Sequence, residues 1–488
     1  MISFARRRVA ALAFVLPMLL YANAAIAIEG VFGDSGYFGI RGSISESTAL
    51  VGQRFGGSEG NGEVRVFDIV DSAWLEAGTS LGDALAAAGR SLSVGADFGA
   101  GALAVDGNTA IAAAYRNQVA GASEAGSVFL FSRSQGQWTC TAEWNEPGAT
   151  TPTPNAHFGI GGDLSDDEAL VLAGGTNKAY VYSRFDGVWN AGVALTGGNL
   201  NMPIAGAIDQ GVAAVGSFLG DTRVDVWRRA GEAWAHDAAL ANPGTTGNYF
   251  AADLDISGNT MVVSAYGQTV GDQGGAGAVY IYEYDGQTWG LAQTIENPAP
   301  VAGDAFGYSV ALKGDRLVVG TPRYDASGNT DAGAAYLFQR TGSTWTQIEQ
   351  CVPNHPTTGQ WFGEAVSVDD FSLLVGGSGR ASGGQGIAQL DGPTSVRLPG
   401  DANRDGSINA ADAAILAAHW GDQTGVSWAT GDFNEDGAVN ALDASILAAN
   451  WSGVPTESSS ATTVPEPGTL TILATGLIAL ATFLRRRV

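Results

Sequence analysis

The feature that most constrains the fold is a unit that recurs seven times, at intervals of roughly 44 to 60 residues. Its clearest copy, residues 305–345, contains four short β-rich runs separated by glycine and aspartate turns. Phe-Gly pairs open five copies, at positions 38, 98, 158, 306 and 362, while Phe250-Ala251 and Met202-Pro203 open two divergent copies. Four strands per unit predict an all-β fold, a seven-bladed β-propeller, because closing the ring leaves only short sheet edges.

A second signature lies in the third run of each unit. It reads GAVYIY at 277–282 and GAAYLF at 333–338, usually with a tryptophan after it, and GIAQLD at 386–391 is a weak final copy. These repeats resemble the FG-GAP repeat of integrin α-subunit heads and of many bacterial surface proteins, over about residues 30–392. The resemblance implies a propeller domain at residues 28–398. It does not identify the ligand, because a fold does not determine a function.

The charge of the chain is strongly acidic, with 49 acidic against 24 basic residues and a formal net charge of −25. Such a surface repels phosphate backbones, so we do not expect a nucleic acid partner. The acidity has two interpretations, namely solubility in an external medium and attraction for divalent cations. The two cysteines, Cys140 and Cys351, fall in units two and six, and we expect no disulfide between them because a bridge needs Cα atoms within about 7 Å.

The sequence carries no motif that indicates catalysis. Its four histidines form no spaced metal pair, and it contains no H-E-x-x-H motif. We therefore expect a binding protein and not an enzyme, with no catalytic residue assigned. The alternative is an enzyme that acts on extracellular polysaccharide, since propeller enzymes assemble their sites from scattered loops.

One propeller loop places oxygen side chains at every second position, at Asp325, Ser327, Asn329 and Asp331. Calcium-binding loops of integrin-type FG-GAP repeats have an Asp/Asn series at this spacing. Here a serine replaces the acid at the third position, and Gly333 stands where a further acid is expected. A calcium site and a solvated polar loop both remain open.

The region after residue 398 contains a different, duplicated motif. Shifting the chain by 31 residues aligns Asp401–Trp420 with Asp432–Trp451, with 13 of 20 positions identical. Each copy has oxygen-bearing residues at loop positions 1, 3 and 5, a glycine at position 6 and a backbone carbonyl ligand at position 7, which is the EF-hand pattern for Ca²⁺. The candidate metal ligands are Asp401, Asn403, Asp405, Ser407 and Asp412 in the first copy, and Asp432, Asn434, Asp436, Ala438 and Asp443 in the second.

Position 12 of both loops is Asp, not Glu, and only one helix follows each loop. We expect Ile415, Leu416 and Trp420, with their counterparts in the second copy, to form the apolar face of that helix. The duplication resembles a type I dockerin over residues 399–452, a small all-α module. The resemblance implies two Ca²⁺ ions and a cohesin-like partner at the start of each helix.

The residues that correspond to that partner surface are Ala410-Ala411 and Ala441-Leu442, where many dockerins carry hydroxyl side chains. A calcium-rigidified stalk without a cohesin partner is the alternative interpretation.

The N-terminus has the layout of a secretory signal peptide at residues 1–27. Arg6-Arg7-Arg8 precede an apolar run, and Ala25-Ile26-Ala27 offer small residues for cleavage. We expect cleavage after Ala27, with Ala24 as the alternative position.

The C-terminus carries a polar linker at 453–464, followed by Pro465-Glu466-Pro467, an apolar run and three arginines. This order resembles the PEP-CTERM sorting signal, at residues 465–488. The resemblance implies a short transmembrane segment that an exosortase-type enzyme removes, in bacteria that make exopolysaccharide. A permanent membrane anchor is the alternative.

Together these features predict an exported protein of the cell envelope, cell surface or extracellular matrix of a Gram-negative-type bacterium. The propeller is expected to act as a platform for adhesion to an unidentified protein or glycan, and the dockerin as a calcium-dependent coupling module.

Overall fold

The computed structural model describes residues 27–28, 36–391 with short gaps, 400, 402, 408–422, 431, 433 and 438–451; the gaps fall at 58, 71–72, 149, 221, 354, 371, 381–382 and 384–385. The chain divides into two compact units, Met1–Arg397 and Leu398–Val488. The first unit contains seven antiparallel sheets and the second contains two helices.

The seven sheets are the blades of a β-propeller, as the repeats predict. The first three blades contain β2 (Phe38–Ser45), β3 (Thr48–Gln53), β4 (Glu63–Val70) and β5 (Ala73–Glu76); β6 (Phe98–Asp106), β7 (Thr109–Ala114), β8 (Ser127–Ser134) and β9 (Gln137–Trp144); and β10 (Phe158–Ser165), β11 (Glu168–Ala173), β12 (Lys178–Phe185), β13 (Val188–Trp189) and β14 (Val193–Ala194). Blade three has five strands because both β13 and β14 pair with β12.

The remaining blades follow in chain order. They contain β15 (Pro203–Asp209), β16 (Val212–Ser217), β17 (Arg223–Ala230) and β18 (Ala233–Ala241); β19 (Phe250–Ser257), β20 (Thr260–Ala265), β21 (Ala278–Tyr284) and β22 (Trp289–Glu296); β23 (Val310–Lys313), β24 (Arg316–Thr321), β25 (Ala334–Thr341) and β26 (Thr344–Cys351); and β27 (Ala365–Val368), β28 (Leu373–Gly377) and β29 (Ile387–Asp391).

The seventh blade is completed by β1 (Ala27–Ile28) from the N-terminal end of the chain. Its residues pair antiparallel with β29, Ala27 opposite Asp391 and Ile28 opposite Leu390. The N-terminal end of the chain therefore supplies the outer strand of the last blade. It begins at the residue after which the sequence predicts signal cleavage.

The Phe-Gly pairs have a structural explanation at the seams between blades. The phenylalanine side chains are fully buried, and Phe38 packs with Leu374 and Leu390 of the preceding blade in the ring. Gly39 has a φ of +82°, and a Cβ there would lie 2.2 Å from the carbonyl oxygen of Ile387 on that blade. Each phenylalanine thus supplies a core side chain, and Gly39 and Gly363 allow a close approach of the neighbouring backbone that a Cβ would prevent.

A short helix, α1 (Leu81–Ala87), accounts for part of the long interval between the first two repeats. Ser80 and Asp83 form its capping box, and Leu81 and Leu85 pack into the core between blades one and two. The sequence analysis missed this helix, although the Ser-x-x-Asp spacing was a usable signal.

The second unit contains α2 (Ala410–Ala418) and α3 (Ala441–Ala449), one after each predicted loop. Among its described residues, the buried core contains Ala402, Ile408, Leu416, Phe433, Val439 and Leu447. Ile415 packs against this core, but Trp420 and Trp451 are nearly half exposed. Assigning the tryptophans to the apolar helix face was wrong, because both lie beyond the last helical residue, where the chain has turned away.

Candidate functional site: the propeller face and the dockerin module

One face of the propeller is marked by a repeated backbone conformation. The residue before each Phe position has a left-handed φ between +50° and +61° in all seven blades: Tyr37, Asp97, His157, Met202, Tyr249, Ala305 and Trp361. In blade four, Pro203 and not Met202 takes the place of the phenylalanine, so the predicted alignment of Met202-Pro203 was wrong by one residue. Such values are rare for residues other than glycine and cluster at functional sites. The loop after the second strand of each blade lies on the same face. Two sets of loops therefore meet on this side of the propeller.

The channel through the ring opens on this face as a cavity of about 320 Å³. Its wall is formed by the first strand of each blade, and its mouth by Phe218, Tyr266, Tyr308 and Glu364. Openings of this kind, with aromatic and a few charged side chains, are typical of ligand sites.

Five aromatic rings form a continuous run at this mouth, across blades four to seven. The centroid separations are 6.1 Å from Phe218 to Tyr249, 4.6 Å on to Tyr266, 5.2 Å on to Tyr308 and 6.2 Å on to Trp361. We call these five residues the aromatic arc. Its first two pairs are stacked and the last is edge-to-face.

Arginines adjoin the end of the arc. The guanidinium groups of Arg323 and Arg380 lie 5.2 Å and 5.6 Å from the Trp361 ring. Arg380 also pairs with Glu364 at 2.6 Å, whose other oxygen accepts hydrogen bonds from Ser378.

The opposite part of the face, over blades one to three, carries a network of ion pairs. Arg54 contacts Asp97 at 2.8 Å, and Arg116 joins Asp97 to Glu124. His157 contacts Glu124 at 2.8 Å. Hydrogen bonds from Arg116 and His157 lower the pKa of Glu124 to about 2. The charged groups of this network satisfy one another.

Three aspartates line the channel below the mouth. Asp163, Asp253 and Asp255 accept hydrogen bonds from backbone amides of the following blade, at 2.7 to 2.9 Å. Burial raises the pKa of Asp163 and of Asp253 to about 6, and it raises that of Asp255 well above 3.8, where the charge of Asp163 contributes further. These hydrogen bonds join neighbouring blades, but burying the carboxylates costs desolvation free energy.

The loop with Asp325, Ser327, Asn329 and Asp331 folds as a tight turn around a short 3-10 segment, Ala326–Gly328. An oxygen of Asp325 accepts the backbone N–H of Asp331 at 3.0 Å. Within the described ranges, no three Asp, Glu, His or Cys side chains converge as they would around a metal ion. Calcium binding by this loop stays a prediction.

The cysteines are not joined to each other; Cys140 lies in β9 and Cys351 in β26, on blades two and six.

The dockerin-like unit holds two carboxylates that are fully buried, Asp412 and Asp443. Each caps its helix and reaches back to the start of its loop: Asp412 accepts from the amides of Ala402 and Asn409, and Asp443 from those of Phe433 and Asn440, at 2.8 to 2.9 Å. Buried carboxylates in so small a unit need compensating charge, and hard oxygen donors suit Ca²⁺. These residues thus fit the predicted ion.

Ala438 is also described, half-buried, with its carbonyl accepting from the Asn440 side chain. The other predicted ligands lie outside the described residues: Asp401, Asn403, Asp405, Ser407, Asp432, Asn434 and Asp436. The predicted partner surface is exposed at Ala410, Ala411, Ala441 and Leu442, the last with 59% of its surface accessible.

Within the described part of the chain, no helix is long and apolar enough to span a bilayer. The predicted signal peptide up to residue 26, the linker and the C-terminal sorting segment lie outside the described residues.

Two solved structures have similar chain paths. The β-propeller domain of Cps50 (Swd1) from Myceliophteria thermophila is 11% identical, with a TM-score of 0.46, covering 75% of this chain and 98% of that chain. The computationally designed Ika8 protein is 12% identical, with a TM-score of 0.42, covering 74% and 98%. No curated protein sequence matches this chain.

Three families match parts of the sequence. The FG-GAP repeat matches residues 234–282 and 289–338, the dockerin type I domain matches 399–451, and the PEP-CTERM protein-sorting motif matches 463–487. Type I dockerin domains bind calcium and cohesin partners, and a PEP-CTERM motif implies processing by an exosortase. The chain therefore joins an FG-GAP repeat propeller to a type I dockerin and a PEP-CTERM motif, as an exported, cell-surface or extracellular protein with a protein-coupling module.

Proposed function

We propose that this chain is a non-catalytic binding protein outside the cell. Its propeller binds a ligand at the mouth of the channel, and its dockerin attaches the propeller to a cohesin-bearing partner. The observation that carries the proposal is the aromatic arc, a run of five partly exposed rings of which Phe218, Tyr266 and Tyr308 line the cavity. Ligand sites in proteins are concave and aromatic-rich in this way.

The dockerin makes the attachment depend on calcium. We propose two ions, one held by Asp401, Asn403, Asp405, Ser407 and Asp412, and one held by the matching residues of the second loop. The burial of Asp412 and Asp443 supports this assignment, because an uncompensated carboxylate in a small core destabilises the fold.

The position of the protein follows from its sorting motif. We propose that the exported chain acts in adhesion at the surface or in the matrix of a Gram-negative-type bacterium, after an exosortase has removed the C-terminal segment. An enzyme that acts on extracellular polysaccharide remains the competing function. The ion-pair network of Glu124 and His157 does not favour it, because both groups are already engaged by neighbours.

Capture on an immobilised type I cohesin tests the coupling role. The full chain should bind with calcium present and be released by a chelator. Leu442→Asp, at an exposed position of the partner surface, should reduce capture at least tenfold, whereas the control Leu291→Asp, at an exposed position of β22, should not. Capture that is indifferent to calcium and to Leu442→Asp would contradict the proposal. Absence of capture in calcium would favour the stalk interpretation.

A further inference from the structure

The aromatic arc offers more than an apolar surface, because its rings remain accessible while their backbones are fixed. Tyr249 is 46% exposed, and the other four rings are partly exposed. Tyr249 and Trp361 both occupy the left-handed position before a Phe-Gly site, so the seam between blades holds them in place. Rings that are pre-positioned in this way lose little conformational freedom when a ligand binds.

The polar part of the site is set by arginines around Tyr308. Arg41 lines the same cavity as Tyr308, and Arg323 and Arg380 lie against the neighbouring Trp361 ring. Burial, together with Glu364, raises the pKa of the Tyr308 phenol, and the three arginines oppose this rise. Arg380 is paired with Glu364. Arg41 and Arg323 are exposed and form no ion pair with any residue that the structure describes.

Two other acids near these arginines must be considered. The charge of Arg41 acts on Asp253, and that of Arg323 acts on Asp331, but neither contact reaches the 4 Å of an ion pair. Asp253 accepts a hydrogen bond from the amide of Val310, whereas the hydrogen bond between Asp331 and Asp325 is donated by the backbone N–H of Asp331 and does not involve its carboxylate. The two guanidinium groups therefore keep donors that can receive an external acceptor.

On blades one to three, by contrast, the arginines on this face are engaged in ion pairs. There Arg54 and Arg116 sit at similar loop positions, but Asp97 and Glu124 engage both. Near the aromatic arc, Arg380 is paired with Glu364, and Arg41 and Arg323 form no ion pair with a described residue.

The chemistry of a matching ligand follows. A pyranose ring presents a face of C–H groups that packs on an aromatic ring, and its substituents point outward around the rim. A planar guanidinium favours a carboxylate, which it can bind through two parallel N–H donors. Five rings in a row exceed what a single sugar covers, so an oligosaccharide fits better than a monosaccharide.

We infer that the aromatic arc, with Arg41 and Arg323, binds an acidic polysaccharide through its sugar faces and its carboxylates. This inference rests on the proposed binding function of the propeller and names the class of its ligand.

The test compares three oligosaccharides of similar length on the full chain by calorimetry. They are a galacturonate oligomer, its fully methyl-esterified form and a chitosan oligomer, which carry negative, neutral and positive charge. We expect the acid to bind at least tenfold more tightly than the ester, because a charged hydrogen bond is lost, and the affinity to fall as salt is added. Chitosan should bind most weakly.

Three variants test whether the ligand binds at the aromatic arc and not elsewhere on the surface. Arg323→Gln should weaken binding of the galacturonate oligomer about tenfold and reduce its preference over the ester. Tyr249→Ala should weaken both ligands. Arg228→Gln is the matched control, since Arg228 also stacks on an aromatic ring, Tyr284, at 3.9 Å, but away from the channel mouth. It should leave binding unchanged.

Several results would overturn the inference. These are equal binding of the galacturonate oligomer and its ester, tighter binding of chitosan than of the galacturonate oligomer, or an unchanged affinity in Arg323→Gln. Tighter binding of a polyglutamate peptide would also overturn it and would identify an acidic protein as the ligand. If the chain binds a protein or neutral glycan at the arc but no acidic glycan, the inference fails and the proposed function survives. If no ligand of any class binds the propeller, both fail.

Discussion

Asp253 on blade five accepts a hydrogen bond from the backbone amide of Val310 on blade six, at 2.8 Å. The bond joins two blades inside the channel, where burial raises the pKa of Asp253 to about 6. A carboxyl group whose pKa is higher in the folded than in the unfolded chain binds its proton more tightly when folded. It therefore contributes stability below about pH 4, and this contribution is lost as the pH rises through about 6.

The first prediction is that Asp253→Asn makes the propeller more stable at neutral pH. The amide keeps an oxygen that can accept from Val310 and has no charge to bury. We expect the free energy of unfolding at pH 7 to rise by up to about 3 kcal/mol, and the decline between pH 4 and 7 to become shallower. Urea denaturation across this range measures both. Asp186→Asn, on an exposed turn, is the control, and an identical pH profile in the two variants would refute the argument.

The second prediction concerns the seam between the last and first blades. Gly39→Ala places a methyl group 2.2 Å from the carbonyl oxygen of Ile387, whereas Gly136→Ala has a similar φ, +78°, and nothing within 4 Å. The control should lose about 1–2 kcal/mol, the cost of the left-handed conformation alone. Gly39→Ala should lose at least about 3 kcal/mol, since the blades must also separate. Equal losses in chemical denaturation would mean that the seam can relax.

The third prediction concerns the ends of the exported protein. The sequence alone favours cleavage after Ala27, but the pairing of Ala27 with Asp391 in the outer strand of blade seven favours the alternative after Ala24. Cleavage after Ala24 keeps β1 whole, and cleavage after Ala27 removes half of it. We expect mass spectrometry of the exported protein to find Ala25 as its first residue. We also expect it to end near Pro465-Glu466-Pro467. A terminus at Ile28 would contradict the first expectation, and retention of Leu470–Leu484 would indicate a permanent anchor.

The fourth prediction is that the dockerin folds only with calcium. The unit has about 54 residues with few large apolar side chains, and a domain this small buries too little surface to fold comfortably without an ion. Circular dichroism of residues 399–452 should show helix that is lost with excess chelator. Asp412→Ala and Asp443→Ala should each weaken their own site more than the other. Full helix content without calcium would contradict this prediction.

The sequence predicted the propeller because its strands repeat with turns of recognisable chemistry. The unit at residues 305–345 has its four strands where the pattern indicated, with β24 and β25 within a few residues of the expected ends. The Phe-Gly pairs were recognised as markers of the repeat. The reason for the glycine is its close contact with a carbonyl group of the neighbouring blade. This contact could not be predicted, because the two residues lie far apart in the sequence.

The aromatic arc was not predicted, because its members come from different positions of different repeats. Phe218 and Tyr266 follow second strands, whereas Tyr249 and Trp361 precede Phe-Gly positions, and only ring closure brings them together. One signal was available: an aromatic residue precedes this position in four of the seven copies, at Tyr37, His157, Tyr249 and Trp361. The exposure of the two tryptophans in the dockerin was not predicted for a simpler reason. The helical periodicity was extended beyond the last residue of each helix.

The central claim, a propeller that binds its ligand without transforming it, is tested most directly by one array measurement. The full chain is applied to extracellular glycans and proteins, and each bound ligand is recovered and analysed for chemical change. We predict that the chain binds at least one ligand class, that the ligand is recovered intact, and that binding persists in chelator but weakens in Tyr249→Ala. Turnover of any glycan that is lost in Tyr249→Ala would contradict the claim and establish the enzyme in its place.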